Sequence, residues 1–263
     1  MIDPEVLKII EHFANIEKCL VCNKSLLLGD FHYNLPTGSV CYECYQKHPH
    51  CWHCGFPVNK SSPYTYKDED FVLCQKCNKD KITRKADLRK LHFKMKFYAK
   101  EALGIYIKID KVMLLPSSEL NKRKNDKYDQ DHRSIGFCQS STIDYFFKKN
   151  ISIYLQSGMP YDMMFETLAH EYGHAWEVQN RRLDLSSQEY NLAFREGFAE
   201  WVSYHTMKEY GLKENAKEMI ERAEKNSQSI YCKGFKEMLE LEKKLGSKQA
   251  VLEYVKNHND FKD

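Results

Sequence analysis

Eight of the ten cysteines in this 263-residue chain form four Cys-x-x-Cys pairs: Cys19/Cys22, Cys41/Cys44, Cys51/Cys54 and Cys74/Cys77. Two thiolates three positions apart on a tight turn can both reach one ion about 2.3 Å away, and in a reducing compartment such pairs are usually metal ligands. The gaps repeat: 18 residues lie between the first two pairs, six between the second and third, and 19 between the third and fourth. That is one unit used twice. Residues 18–80 are therefore expected to fold around two structural zinc ions, one held by Cys19, Cys22, Cys41 and Cys44, the other by Cys51, Cys54, Cys74 and Cys77. The long gaps within each unit suit this sequential pairing, although an interleaved cross-brace would use the same eight thiolates. His32, His48, His50 and His53 lie nearby, but the thiolates already complete both sites, and these histidines read as surface or packing residues. A module of this kind has little apolar core, so metal binding supplies most of its folding free energy. Its surface is expected to meet a partner. Cys138 and Cys232 belong to no pair and read as buried thiols.

Disulfides would need a secreted chain. The sequence opens MIDPEVLKIIEHF, with acidic residues where a secretory leader has a basic start, and no run of about 18 apolar residues occurs. A cytoplasmic protein without a membrane span is expected. Lysine plus arginine number 40 against 37 acidic residues, too even a balance to call for a polyanionic partner, so nucleic acid is unsupported. With 42% hydrophobic residues, the chain can bury one sizeable core beside the cysteine module.

After the cysteines, Leu88, Leu91, Met95, Tyr98 and Ala99 recur at helical spacing between lysines and arginines, which predicts an amphipathic connecting helix over 83–103. Ile105, Ile107 and Ile109 alternate with other residues, predicting a strand from Ile105 to Leu115. Ser117 to Arg133 is dense in Lys, Asn and Asp and reads as an exposed loop. Ile151 to Gln156 predicts a second strand, closed by a turn at Gly158-Met159-Pro160. The fold class is α+β: a double zinc module over 1–82, then a mainly helical domain with a small sheet over 104–263.

That domain carries the stretch LAHEYGHAW. At about 100° per residue, Phe165, Leu168, Ala169, Tyr172 and Trp176 fall in one apolar stripe of a helix, while His170 and His174 point together from another side, about 6 Å apart along the axis. Two such imidazoles can grip one ion. Glu171 is offset enough to act on a water beside the ion without ligating it. A third ligand is needed, and the metzincin continuation is absent, since AWEVQN follows His174. Glu196, 22 residues after His174 on the stretch REGFAEWVSYH, is the candidate, with Glu200 one turn later to accept a hydrogen bond from a ligand histidine. Ser186 and Glu189 form a capping box for that second helix. His205, about half a turn round from Glu196, should face away, and Glu177, on the histidine helix itself, would crowd the ligand geometry. Tyr154 and Tyr204 are candidate oxyanion donors. The strand Ile151–Gln156 is a candidate edge for an extended substrate.

The segments GMPYDMMFETLAHEYGHAW and REGFAE, with SIGFC before the second strand, resemble the peptidase domain of the plant LIM-domain, ubiquitin-activated, growth-restricting zinc peptidases, over roughly Lys96 to Met207. The paired cysteines resemble the LIM and LIM-like part of that family. The resemblance implies a zincin-type domain of the glutamate-ligand kind, with His170, His174 and Glu196 as ligands of a catalytic zinc and Glu171 as base. It also implies a protein substrate connected with the ubiquitin pathway. The chain departs from a LIM module in its six-residue spacer and in having Cys41 where a histidine is usual, and only 18 residues precede Cys19. The expected function is zinc-dependent endoproteolysis with a LIM-like recognition module. Two other functions fit the same parts: a protease acting on DNA-bound proteins, and a non-enzymatic zinc adaptor, against which the intact Glu171 argues.

Overall fold

The computed structural model describes residues 17–26, 32–35, 38–58, 72–124, 135–143, 148–180, 191–226 and 228–261. The opening segment, the Ser186/Glu189 capping box and the later part of the expected loop, 125–133, lie outside them. The chain divides into two compact units, Met1–Lys81 and Ile82–Asp263, and its class is α+β. Among the described residues no helix is long and apolar enough to cross a membrane.

The first unit is built on two copies of one turn. At Cys19–Cys22 the chain doubles back, Asn23 N–H bonding Cys19 O and Cys19 N–H bonding Lys24 O, with Asn23 in the left-handed region at φ 62°. At Cys51–Cys54 the same bonds recur from Gly55 to Cys51 and from Cys51 to Phe56, with Gly55 at φ 69°. Each turn is answered by a short helix that starts directly after a cysteine: α1 (Tyr42–Lys47) after Cys41 and α2 (Gln75–Lys79) after Cys74. The hairpin of β1 (His32–Leu35) and β2 (Gly38–Cys41) delivers Cys41 to its place. Around each cysteine group lies only a handful of apolar side chains, and Phe56 packs against both groups. That is too little burial to hold the fold alone.

The second unit contains helix α3 (Lys85–Leu103), whose Leu88, Leu91, Met95, Ala99, Ala102 and Leu103 are buried. The segment read from sequence as a connector is thus packed into this unit. The expected strand from Ile105 is shorter: β3 covers Lys111–Leu115. Ile105 and Ile107 are buried, but in irregular chain, and Ile107 N–H donates to the Tyr172 hydroxyl at 2.8 Å instead of to a neighbouring strand. The expected loop begins as a helix, α4 (Ser117–Lys124), anchored by fully buried Leu120 and tied by Arg123 to Glu119 one turn back. The sheet order is β3-β5-β4, with β5 (Lys148–Gln156) parallel to β3 and antiparallel to β4 (Gly136–Ile143). The segment Ile151–Gln156 is therefore central, with both sides occupied, and among the described residues the edges of this sheet are β3 and β4.

Gly158, at φ 91°, turns the chain from β5 into α5 (Tyr161–Asn180). Helix α6 (Leu192–Tyr210) starts at Asn191, whose side chain accepts from Phe194 N–H. Then follow α7 (Lys213–Lys225), α8 (Ile230–Leu245) and α9 (Lys248–Asn257). Helices α5, α3 and α8 all pack on α6. The contacts are closest where side chains are missing. A Cβ on Gly173 of α5 would lie 2.8 Å from Ala199 Cα of α6, and a Cβ on Gly197 would lie 2.3 Å from the backbone of Gly234 in α8. Trp201, Tyr172, Phe165, Phe194, Phe198 and Phe235 fill the fully buried core of this unit.

Candidate metal centres

The eight paired cysteines come together as two separate clusters, Cys19/Cys22/Cys41/Cys44 and Cys51/Cys54/Cys74/Cys77, with the sulfurs of each cluster within 4.8 Å of one another. The sequential pairing is the one the chain adopts. The donors fit zinc: four soft sulfurs converging from two turns and two helix starts match a closed structural site. The thiols already share protons unequally. Burial pushes the Cys19 thiol up, but backbone N–H groups of Cys22, Cys41 and Val21 bring it down to about 6, while Cys41 and Cys44 are raised, chiefly by burial. In the second cluster, hydrogen bonds from Cys54 and Cys77 lower Cys51, and the Cys51 thiolate in turn raises Cys54 to about 12 and pushes Cys77 upward. In each cluster one thiol, Cys19 or Cys51, is thus the more acidic. His50, which no ligand set requires, bonds the Tyr45 carbonyl at 2.6 Å and stacks on the Tyr45 ring.

The third centre is assembled by α5 and α6. His170 and His174 project from α5 with ring centroids 4.8 Å apart, and Glu196 arrives from α6 with Oε2 at 3.2 Å from His170 Nε2 and 3.3 Å from His174 Nε2. All three ligand atoms lie within 4.8 Å of one another. The opposite ring nitrogens face carboxylates: His170 Nδ1 lies 3.4 Å from Glu200 Oε1, and His174 Nδ1 lies 3.3 Å from Glu177 Oε2. A carboxylate that accepts from each Nδ1 would leave each Nε2 lone pair for an ion beside Glu196. Helix α5 is buried on almost every side, Glu171, His174 and Glu177 included, so His174 lies in the interior beside the apolar stripe while His170 is only partly buried.

The charges around this centre call for a cation. Burial alone would lower His170, but Glu196 and Glu200 raise it well above the ordinary imidazole range, and His174 rises likewise under Glu196 and Glu177. Burial would raise Glu196, yet the two histidines pull it far below the usual carboxylate range. The two imidazoles and the buried carboxylate thus favour one another's charged forms, and a divalent ion would satisfy the same field with three borderline ligands. Glu171 behaves differently. Burial pushes its carboxyl up, offset only in part by the two histidines. It stands against the start of β4, where a Cβ on Gly136 would lie 3.2 Å from Glu171 Oε1 and 2.7 Å from Thr167 Cγ2. Only a residue without a side chain leaves that carboxylate its room.

Beyond the ligands, Arg222 of α7 places Nη2 at 2.8 Å from Glu166 Oε1 and 4.0 Å from Glu200 Oε2, so one guanidinium steadies the carboxylate that faces His170. His205 lies on the other side of α6, where its Nε2 and Trp201 Nε1 both meet Glu242 Oε2, at 2.8 and 2.7 Å. No protein-family model, curated protein or solved structure matches this chain. The centre is therefore read from its own geometry. Of the two tyrosines singled out in the sequence, Tyr154 stacks on Phe137 under Arg123, and Tyr204 packs on Phe235 and His205. Glu177 was weighed as a ligand but supports His174 instead. Its spacing, three residues past His174, was the available signal. Arg222 had none, because it reaches the site only through tertiary packing. Of the unpaired cysteines, Cys232 is buried and Cys138 only partly so.

Proposed function

We propose that this chain is a zinc-dependent endopeptidase whose first unit, a LIM-like double zinc module, recognises a protein partner or substrate. The observation that carries this is the division of labour among four side chains: His170, His174 and Glu196 converge on one point, and Glu171, beside them, stays outside the ligand set. A purely structural site has no use for such a carboxylate. When bound, zinc supplies Lewis acidity, lowering the pKa of a water toward about 7 and polarising the scissile carbonyl. Glu171 takes the proton from the attacking water and returns it to the leaving amine nitrogen, and its burial makes it the more basic for that task. Glu200 and Glu177 hold the two imidazoles in the tautomer that leaves Nε2 free. The edge strand β4, which passes Glu171 at Gly136, is the rail on which an extended substrate adds its backbone. The plant LIM-domain peptidase family is the family reading that agrees with this arrangement.

The test joins metal analysis to a proteome-wide search for new chain termini. The purified protein is expected to hold three zinc ions, and Glu171→Gln to keep all three and its thermal stability while cleaving at least about 100-fold more slowly. Equal cleavage by both proteins would end the hydrolase reading.

A further inference from the structure

The proposed chemistry gives Glu171 the proton but names no protein group for the negative charge that builds on the scissile carbonyl oxygen. Tyr154 and Tyr204 are committed to other neighbours. A different tyrosine lies beside the centre. Tyr231, in the first turn of α8, has its ring centroid 6.1 Å from that of His170, with the planes 40° apart, and is 38% exposed. We infer that the Tyr231 hydroxyl donates a hydrogen bond to the carbonyl oxygen of the peptide under attack, and so acts as a catalytic residue of the peptidase. This rests on the reading of His170, His174, Glu196 and Glu171 as a hydrolytic centre.

Placement supports it first. Tyr231 reaches His170 from α8, a third element, distinct from α5 and α6, which supply the ligands and the base. Its partial exposure leaves the ring open to a substrate, unlike buried Tyr154, Tyr172 and Tyr254. Rigidity supports it next. One turn after Tyr231, Gly234 presses on α6: a Cβ there would lie 1.9 Å from Ala193 O and 3.0 Å from Gly197 Cα, and Gly197 is the neighbour of Glu196. The next residue, Cys232, bonds the Arg222 carbonyl through its sulfur at 3.7 Å. The backbone that carries Tyr231 is thus fixed to the ligand helix within one residue of a metal ligand, which is the preorganisation an oxyanion donor needs.

Chemistry supports it last. A phenol titrates near 10 in water, so it keeps its proton at neutral pH, and it presents that proton on a stiff ring with two torsions. Its hydrogen bond strengthens as the carbonyl oxygen becomes negative, and it therefore lowers the barrier more than it tightens substrate binding. In the step itself, the water oxygen bonds to the carbonyl carbon and the C–N bond breaks. The water's proton travels through Glu171 to the leaving nitrogen. Tyr231 donates a hydrogen bond and retains its own proton.

The experiment uses the full zinc-loaded chain with a fluorogenic peptide library and a phosphinic peptide, whose tetrahedral oxygen imitates the charged carbonyl. Tyr231→Phe keeps the ring and should lower kcat by about 100-fold or more with KM changed less than about threefold, zinc content and melting temperature being unchanged. Affinity for the phosphinic peptide should fall in step with kcat. In the Glu171→Gln background, the added Tyr231→Phe should leave binding of the uncleaved peptide as it was. Wild-type kcat and phosphinic affinity in Tyr231→Phe would overturn the inference, as would a loss that tracks lost zinc or lost stability. Cleavage that survives Glu171→Gln would overturn the hydrolytic reading itself and Tyr231's role with it. The two failures differ, because Glu171→Gln reports on the reading alone.

Discussion

Glu196 faces two histidines at once while His205, nine residues on, is turned to Glu242. Spacing on one continuous helix is enough to tell these two apart, and the structure shows the helix unbroken from Leu192 to Tyr210. Glu196→Ala should therefore release the metal of this centre, whereas His205→Ala should leave it bound and cost only stability, because Glu242 and Trp201 lose a partner. Isothermal titration with zinc after chelation checks the order, and the reverse order would remove Glu196 from the ligand set. Glu177 and Glu200 make a subtler case. Each touches the far nitrogen of one histidine, so Glu177→Ala and Glu200→Ala should each weaken zinc binding by roughly 10- to 100-fold without changing the number of sites. Undiminished affinity in either variant would show that the histidine holds its tautomer unaided. That His170, His174 and Glu196 could share one ion was legible because the spacing along each helix is local. The proximity of Arg222 and Tyr231 was not, because it depends on how α7 and α8 fold back.

At the scale of elements, the metal centre is a product of how closely α5 can approach α6. Gly173 is the point of contact, with Ala199 Cα and Cβ and Val202 Cβ around the place where a Cβ would go. Alanine is the better helix former by about 1 kcal/mol, yet here its methyl would meet backbone that cannot rotate away. The steric cost should win: Gly173→Ala is expected to destabilise the second unit by about 1–3 kcal/mol and to weaken zinc binding, since His174 is the next residue. Calorimetric melting with and without metal measures both. A stabilised variant with normal zinc affinity would show that the helices can slide apart freely. Such seams explain what sequence patterns revealed and what they hid. The apolar period of α3 was plain in Leu88, Leu91 and Met95, and the strand Ile151–Gln156 was found. The strand expected from Ile105 was truncated because Ile107 gives its N–H to Tyr172, a partner 65 residues away that no local pattern announces. In α4, the Glu119–Arg123 pair and buried Leu120 marked a helix that the density of polar residues obscured. Phe235, Met238 and Leu241 in α8 keep a helical period that was open to reading and was not read.

For the whole molecule, the two units answer acid in different ways. In the first, protons would compete with a metal ion for the clustered cysteine sulfurs. The second also holds buried imidazoles that refuse protons. His92 is pushed down to about 4 by burial and by nearby Lys96, and His205 to about 4 by burial, against the pull of Glu242. In the unfolded chain a histidine titrates near 6.5. Between pH 6.5 and 4 these two histidines bind protons in the unfolded chain but not in the folded one, so their contribution to stability falls as pH falls through that window. His205→Gln, which keeps a donor for Glu242, should make the decline shallower in thermal melts taken across that range. An unchanged slope would mean that His205 is protonated in the native protein. Where Gly173, Gly197 and Gly234 bring backbone onto backbone, no side chain can swing aside to admit water, and the helices open there only by parting. His174 and Glu196 are the next neighbours of two of these glycines. The lifetime of the centre is thereby tied to the slowest breathing of the unit, and its amide hydrogens should be the last to exchange with solvent, whether or not an ion is bound.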